Sequence, residues 1–178
     1  MLPRNLRVGI NSNKRDFAVD FNETPTGTYV LLLHLEQDKT ITVGKLGTFD
    51  FPAGWYTYIG SAFGAGGLLG RIKHHLRPVT KPHWHIDYLR QEAVIKEIWL
   101  STDAERHEED WVDLMVEIPG AVALIEGFGS SDSSKDTHLF YFDVKPLMED
   151  FAVGVRHHFP HTTILRAFDA PGNGETTN

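Results

Sequence analysis

The feature that most constrains the fold is a strand, a glycine-rich turn and a helix in direct succession over residues 55–78. Aromatic and β-branched residues predict a strand at 55–59, opened by Gly54. Four glycines between positions 60 and 67 then let the chain turn sharply. The helix that follows has one apolar stripe and ends before Pro78, which cannot continue it. The stripe consists of Leu68, Leu69, Ile72 and Leu76.

Further elements are predicted on both sides of this unit. Residues 28–36 read as a strand, and the turn at 37–39 followed by the β-branched run 40–43 predicts a hairpin with it. Thr102 or Asp103 can cap a helix whose apolar stripe extends to Ile118. The remaining predicted elements are a short helix at 86–92, strands at 94–100, 121–125 and 139–142, and a helix at 145–157. We therefore expect an α/β (α+β) fold with a small, mostly antiparallel central sheet flanked by helices.

The length bounds the domain organisation. A chain of 178 residues with 41% hydrophobic residues can bury one sizeable core, and a second independent core is not expected. Polar composition at both ends predicts a flexible arm over 1–25 and a disordered tail over 170–178. Between them we expect the main domain at 26–143 and a helical extension at 144–169.

Charge is distributed unevenly along the chain. The net charge is −7, which argues against coating nucleic acid through bulk electrostatics, but residues 61–90 carry five basic side chains against Asp87 alone. Such a basic island can still hold a few phosphates. Without cysteine there is no disulfide or thiolate zinc site, and no apolar run suggests a signal peptide or membrane span. We expect a cytoplasmic protein with no membrane partner.

Histidine and aromatic residues are concentrated in the same region. Residues 56–89 hold four histidines among tyrosine, tryptophan and basic side chains, a mixture that suits a phosphate or metal site better than a core. His83 and His85 would share one face of a strand and could bind metal there, whereas a helix would separate them. We favour structural support for His83, His85 and Asp87, with Asp87 or a backbone carbonyl orienting His85.

An ordered set of motifs resembles the GIY-YIG nuclease superfamily. The set is Gly27-Thr28-Tyr29, Tyr58-Ile59-Gly60, Arg71 and Glu108. The stretches YIGSA, GRIKHH, HWHIDYL, GFGSSD and HLFYF further resemble its Uri-type branch, sometimes joined to endonuclease III, over about residues 26–143. The resemblance implies a GIY-YIG-like fold and an endonuclease that hydrolyses DNA phosphodiester bonds with a tyrosine-activated water.

The same resemblance assigns roles to individual residues. It implies that Tyr29, Tyr58, Arg71 and His75 are catalytic and that Glu108 binds Mg²⁺ or Mn²⁺. A tyrosine, whose ordinary pKa is near 10, becomes a base at neutral pH only if nearby cations favour the phenolate. Arg71, a protonated His75 and the metal ion are the expected cations.

DNA is the implied partner, and DNA-repair proteins are candidate partners because the Uri-type domain is sometimes joined to endonuclease III. Five side chains are predicted to contact nucleic acid: Lys73, His74 and Arg77 in the basic island, Ser61 after the second motif, and Ser131 in a Ser/Asp loop. The sequence predicts no oligomeric state.

Two departures from the superfamily pattern keep other functions open. Tyr29 and Tyr58 lie 29 positions apart, with an inserted stretch between them, and Ser61 stands where related nucleases often have lysine. A binding module that keeps the scaffold but has lost catalysis is therefore one alternative. A small-molecule phosphoesterase with His83 and His85 as metal ligands is another.

Overall fold

The structure is a computed structural model that describes residues 25–130 and 133–169. The arm predicted at 1–25, apart from Pro25, and the tail predicted at 170–178 lie outside the described residues. The described elements, in chain order, are β1 Thr28–Leu35, β2 Lys39–Val43, β3 Gly47–Phe51, β4 Gly54–Ser61, α1 Gly67–Leu76, α2 His85–Arg90, β5 Val94–Ser101, α3 Glu108–Val116, β6 Leu139–Phe142, α4 Met148–His158 and β7 Leu165–Asp169.

A five-stranded sheet with the order β6-β4-β1-β5-β7 forms the centre of the molecule, and every pairing in it is antiparallel. The nearly continuous burial along β1 fits this central position, with both faces of the strand covered. The predicted α+β fold with an antiparallel sheet is confirmed. In the β1–β4 register, Tyr29 lies opposite Gly60 and Leu31 lies opposite Tyr58.

The hairpin predicted between residues 28–36 and 40–43 is wrong. β2 pairs instead with β3, in a separate two-stranded sheet. Both edges of β1 are already taken by β4 and β5, so no edge remains for β2. The β2–β3 hairpin buries Ile41, Val43 and Phe51 in the core. The inserted stretch between the two tyrosine motifs therefore leaves the central sheet and returns without separating β1 from β4.

The sheet carries an apolar layer on each face. One face packs against α1, α2 and the β2–β3 hairpin, with Leu31, Leu68, Ile72, Ile86 and Leu89 among its buried residues. The other packs against α3 and α4, around Trp99, Trp111, Phe151 and Val155. The two sets alternate along β1, as period-two side-chain placement requires. Among the described residues, no helix is both long and apolar enough to cross a membrane.

The later part of the chain differs from expectation in three places. α3 begins at Glu108 rather than after Thr102, because the preceding loop is held by a bond from the His107 backbone N–H to Thr28 Oγ1 at 3.3 Å. Residues 121–125 form only an isolated bridge, between Val122 and Tyr141. The C-terminal segment contains α4, as expected, and also β7, which pairs with β5 and extends the sheet.

Candidate active site

A cleft of about 710 Å³ opens at the end of the sheet where Ser61 and Thr28 pair. Strand β1, strand β4, helix α1 and the start of helix α3 each contribute side chains to it. All five residues to which the resemblance assigns chemistry line this one cleft: Tyr29, Tyr58, Arg71, His75 and Glu108. Ser61, His83 and His85 also line it.

Tyr29 and His75 form a buried pair at the floor of the cleft. The Tyr29 hydroxyl lies 2.8 Å from His75 Nε2, and each residue is 2% exposed. Burial raises the pKa of Tyr29 well above its ordinary value, and the nearby Tyr58 adds to this, while Arg71 acts in the opposite direction. Burial, with the charges of Arg90, His74 and Arg71, lowers the pKa of His75 to about 3. The expectation that His75 is a cation is therefore wrong: it is a neutral imidazole at physiological pH.

Two motif glycines are required by close approach. A Cβ on Gly60 would lie 2.4 Å from the Tyr29 hydroxyl oxygen and 2.6 Å from Cζ, because the phenol ring crosses directly over this backbone. A Cβ on Gly27 would lie 1.9 Å from the backbone oxygen of Ser101 on β5. The glycines of the GTY and YIG motifs thus let β1 and its neighbours place Tyr29 against His75.

Tyr58 lies on the same face of the sheet as Tyr29. Its cross-strand partner is Leu31, two residues along β1 from Tyr29, so the two phenols point into the same layer. Its ring packs edge-on against Phe128 at 6.3 Å between centroids. The register of β1 and β4, and not the length of chain between the two tyrosines, therefore brings them together.

Arg71 presents a cation to the cleft. Its guanidinium stacks over the Trp84 ring, with Cζ 4.3 Å from the ring centroid. No carboxylate forms an ion pair with Arg71 anywhere in residues 25–130 and 133–169. Its donors are thus held in one plane by the indole and remain available to an anion.

Glu108 is the first residue of α3 and reaches into the cleft across the sheet end. Its Oε2 accepts a 2.5 Å hydrogen bond from Ser61 Oγ and lies 3.8 Å from Arg106 Nη1, while Oε1 lies 3.4 Å from His138 Nδ1. Burial alone would raise the pKa of Glu108, but the neighbouring His138 and Ser61 together outweigh it and lower that pKa. Glu108 is therefore an ionised carboxylate in a polar cleft, and its oxygens are donors of the kind that suits Mg²⁺ or Mn²⁺.

The His-Trp-His segment holds helix α2 in place through Asp87. One Asp87 oxygen accepts from the backbone N–H of His83 and of Trp84, both at 3.0 Å, and the other accepts from Arg90 Nη1 at 2.9 Å. Burial opposes ionisation of Asp87, but the hydrogen bonds from the backbones of His83 and Trp84 and from the His74 side chain lower its pKa. Asp87 is 1% exposed, so this fully paired carboxylate organises the start of α2.

His85 is oriented differently from what we expected. Among residues 25–130 and 133–169, neither Asp87 nor a backbone carbonyl holds it. Instead, its Nδ1 accepts a 3.0 Å hydrogen bond from the backbone N–H of Gly129. In the neutral imidazole the proton is then on Nε2. His85 thereby ties the loop before β6 to the cleft.

Within the described residues, only His74, His75 and Asp87 form a group of three side chains with metal-ligand spacing, and His83 and His85 are not part of it. This group does not suit a cation. The Arg90 guanidinium already occupies Asp87 Oδ1, and His75 Nε2 is engaged with Tyr29. A positively charged neighbour in direct contact with a ligand opposes metal binding.

The predicted nucleic-acid contacts are dispersed. Lys73 and Arg77 are exposed, and His74 and Arg77 line a separate cavity of about 180 Å³ rather than the cleft. Ser61 lies in the cleft with its hydroxyl donated to Glu108. Ser131 lies outside the described residues.

Sequence reasoning missed two residues of the cleft. Arg106, on the loop before α3, lies 3.3 Å from Ser61 Oγ and stacks over Phe63. His138 precedes β6 and faces Glu108. His138 belongs to the HLFYF stretch that carried part of the resemblance, so it was visible as a motif, but only the fold shows that it meets Glu108.

Comparison with known proteins identifies one family. Neither the curated proteins nor the solved structures contain a match to the chain. The profile of a family described as a domain of unknown function, DUF123, matches residues 28–159. The match includes every cleft residue described above and extends through α4. The chain therefore belongs to the DUF123 family.

Proposed function

We propose that this protein is a metal-dependent DNA endonuclease of the GIY-YIG type, close to the Uri-type branch. The observation that carries the proposal is the pairing, within one cleft, of an Arg71 guanidinium that has no carboxylate partner among the described residues with an ionised Glu108. A phosphodiester needs this combination: a planar donor for its oxygens and a carboxylate ligand for a divalent ion.

The side chains that line the cleft have separate roles in the proposed reaction. Arg71, fixed on Trp84, binds the scissile phosphate and neutralises charge on its oxygens. The Tyr29 oxygen accepts a proton from the attacking water while its own proton passes to His75 Nε2, 2.8 Å away. A Mg²⁺ or Mn²⁺ ion held by Glu108 would supply Lewis-acid stabilisation of the phosphate and the leaving oxygen.

This relay replaces the phenolate base expected from the sequence. Burial disfavours the Tyr29 phenolate. A neutral tyrosine that transfers its proton to His75 as it accepts one from water therefore suits the buried floor of the cleft better than a tyrosine that stays ionised. Arg71 is among the charges that lower the pKa of His75, and a phosphate bound to Arg71 offsets its charge. Substrate binding therefore makes His75 a better proton acceptor.

The test is cleavage of supercoiled, single-stranded, branched and damaged DNA by the purified protein with Mg²⁺ or Mn²⁺. We expect cleavage to fall by about a hundredfold or more in Arg71→Ala and Glu108→Gln, since each removes charge stabilisation of the transition state. Arg71→Lys should restore little, because lysine lacks the planar fork. The exposed Lys81→Ala is the matched control. Cleavage that persists in both Arg71→Ala and Glu108→Gln would contradict this site.

A second candidate is a DNA-binding module without catalysis, favoured by the raised pKa of Tyr29 and by a histidine whose pKa near 3 makes it a weak base. It predicts salt-sensitive DNA binding with no cleavage of any DNA form under either metal. Titrating binding against salt beside the cleavage assay separates the two candidates.

A further inference from the structure

His138 is a buried side chain that lines the cleft beside Glu108. It is 2% exposed, and neither ring nitrogen has a hydrogen-bond partner among the described residues. Its backbone, by contrast, is fixed on both sides: the N–H donates to the Phe128 carbonyl at 2.9 Å and the carbonyl accepts from the Ile59 N–H at 3.0 Å. The backbone thus fixes the position of the ring, while both ring nitrogens lack a hydrogen-bond partner at that position.

An unsatisfied buried polar group is costly, about 1–3 kcal/mol, and is usually explained by a function or a bound species. The ring lines the cleft, and its Nδ1 lies 3.4 Å from Glu108 Oε1. The other Glu108 oxygen is held by Ser61 at 2.5 Å. Oε1 and the imidazole nitrogen therefore face each other across a gap inside the cleft.

We propose that Glu108 Oε1 and His138 Nδ1 together bind one divalent metal ion, and that the site prefers Mn²⁺ to Mg²⁺. Two ligand atoms 3.4 Å apart can share an ion that lies about 2.1 Å from each, the usual length of such metal–nitrogen and metal–oxygen bonds. An imidazole ligand favours transition metals, whereas Mg²⁺ takes oxygen ligands and water.

A simple ion pair between a protonated His138 and Glu108 is the competing explanation. The pair lies within ion-pair distance, yet the ring nitrogen makes no hydrogen bond of acceptable geometry to the carboxylate. A metal ion between the two groups gives Oε1 and Nδ1 a shared partner and does not require the N–H···O geometry that an ion pair would show. Nε2 has no partner in either arrangement, so it is the geometry at Nδ1 that favours metal ligation.

The experiment is pulsed electron paramagnetic resonance on the full-length protein loaded with Mn²⁺, combined with calorimetric titration of Mn²⁺ and Mg²⁺. A directly bound imidazole gives ¹⁴N coupling to Mn²⁺, which carboxylate and water ligands do not give. Mn²⁺ bound to the unaltered protein without ¹⁴N coupling already refutes the proposal, so this outcome does not depend on a variant that folds. The variants His138→Gln and Glu108→Gln, with His74→Gln as the control outside the cleft, then assign the nitrogen.

We expect ¹⁴N coupling that is retained in His74→Gln and lost in His138→Gln. Mn²⁺ affinity should fall by at least about tenfold in His138→Gln, whereas Mg²⁺ affinity should change less than about threefold. Mn²⁺ bound without ¹⁴N coupling, or unchanged Mn²⁺ affinity in a folded His138→Gln protein, would overturn the proposal.

The inference rests on the proposed function only for the role of the ion in the reaction. The experiments can refute the metal site and the nuclease activity independently of each other. DNA cleavage without ¹⁴N coupling removes His138 as a ligand and leaves the nuclease proposal intact. ¹⁴N coupling without cleavage of any DNA keeps the metal site and removes the activity.

Discussion

Replacing Gly60 by alanine tests whether the YIG glycine is there to make room for Tyr29. The new methyl would lie 2.4 Å from the Tyr29 hydroxyl oxygen and 2.6 Å from Cζ, so the ring has to move by about 1 Å to reach ordinary contact. The strand cannot yield instead, because β1 is hydrogen-bonded on both sides. Moving the ring breaks the 2.8 Å bond to His75.

The expected cost has two parts. Overpacking a buried site by one methyl costs about 1–3 kcal/mol. Leaving the Tyr29 hydroxyl and the His75 nitrogen without a partner costs about 1–3 kcal/mol more. The free energy of unfolding should therefore fall by about 2–6 kcal/mol, equivalent to a Tm lower by roughly 4–24 °C for a chain of this size.

Urea unfolding followed by circular dichroism measures this change, with Gly70→Ala as the matched control. Gly70 lies within α1, and a Cβ there would meet nothing within 4 Å. Alanine at position 70 should stabilise the protein by about 0.5–1 kcal/mol, from helix propensity alone. If Gly60→Ala is as stable as the unaltered protein, the close approach of Tyr29 does not constrain the motif and the reasoning fails.

Two further predictions concern buried ionisable groups. The pKa of His75 is lowered to about 3 in the folded protein, so below pH 6.5 the unfolded chain binds a proton that the folded chain does not bind. The free energy of unfolding should therefore fall as the pH falls from about 6.5 towards 3. Unfolding measured between pH 4.5 and 6.5 should show a slope shallower by up to about 1.4 kcal/mol per pH unit in His75→Gln, and an unchanged slope would contradict a neutral His75. Glu97→Ala should destabilise the protein by about 1–3 kcal/mol, because it leaves the buried Trp99 Nε1 without its 2.8 Å acceptor. Glu92→Ala, which removes only an exposed ion pair with Lys39, should cost less than about 1 kcal/mol when both variants are compared by thermal denaturation, and equal losses would refute the distinction.

Local sequence patterns were enough to predict much of the fold. The apolar run of β1, the turn glycines before α1 and the stop at Pro78 each act within a few residues, and the elements lie where these signals place them. The pairing of β2 with β3 depends on competition for the edges of β1, which no local signal records. The start of α3 was misplaced for a similar reason, since a bond from His107 to Thr28, far away in sequence, holds the preceding loop.

The same distinction between local signals and long-range contacts applies to the candidate site. Motif order was enough to collect Tyr29, Tyr58, Arg71, His75 and Glu108, and all of them reach one cleft. The protonation of His75 could not be predicted, because it depends on burial and on Arg90, which donates to the His75 backbone carbonyl from α2. His138 could not be singled out either, since its meaning comes from meeting Glu108 across the sheet end.

The placement of Glu108 ties the site to the assembly of the whole molecule. Tyr29, Arg71 and His75 belong to the layer formed with α1, whereas Glu108 is attached to α3 on the opposite face of the sheet. A chain in which only one layer has docked holds an incomplete cleft. The complete site therefore forms only when both layers are packed against the sheet. Truncating a side chain such as Phe151, deep in the layer formed with α3 and α4, should displace Glu108 from the cleft although Phe151 does not line it.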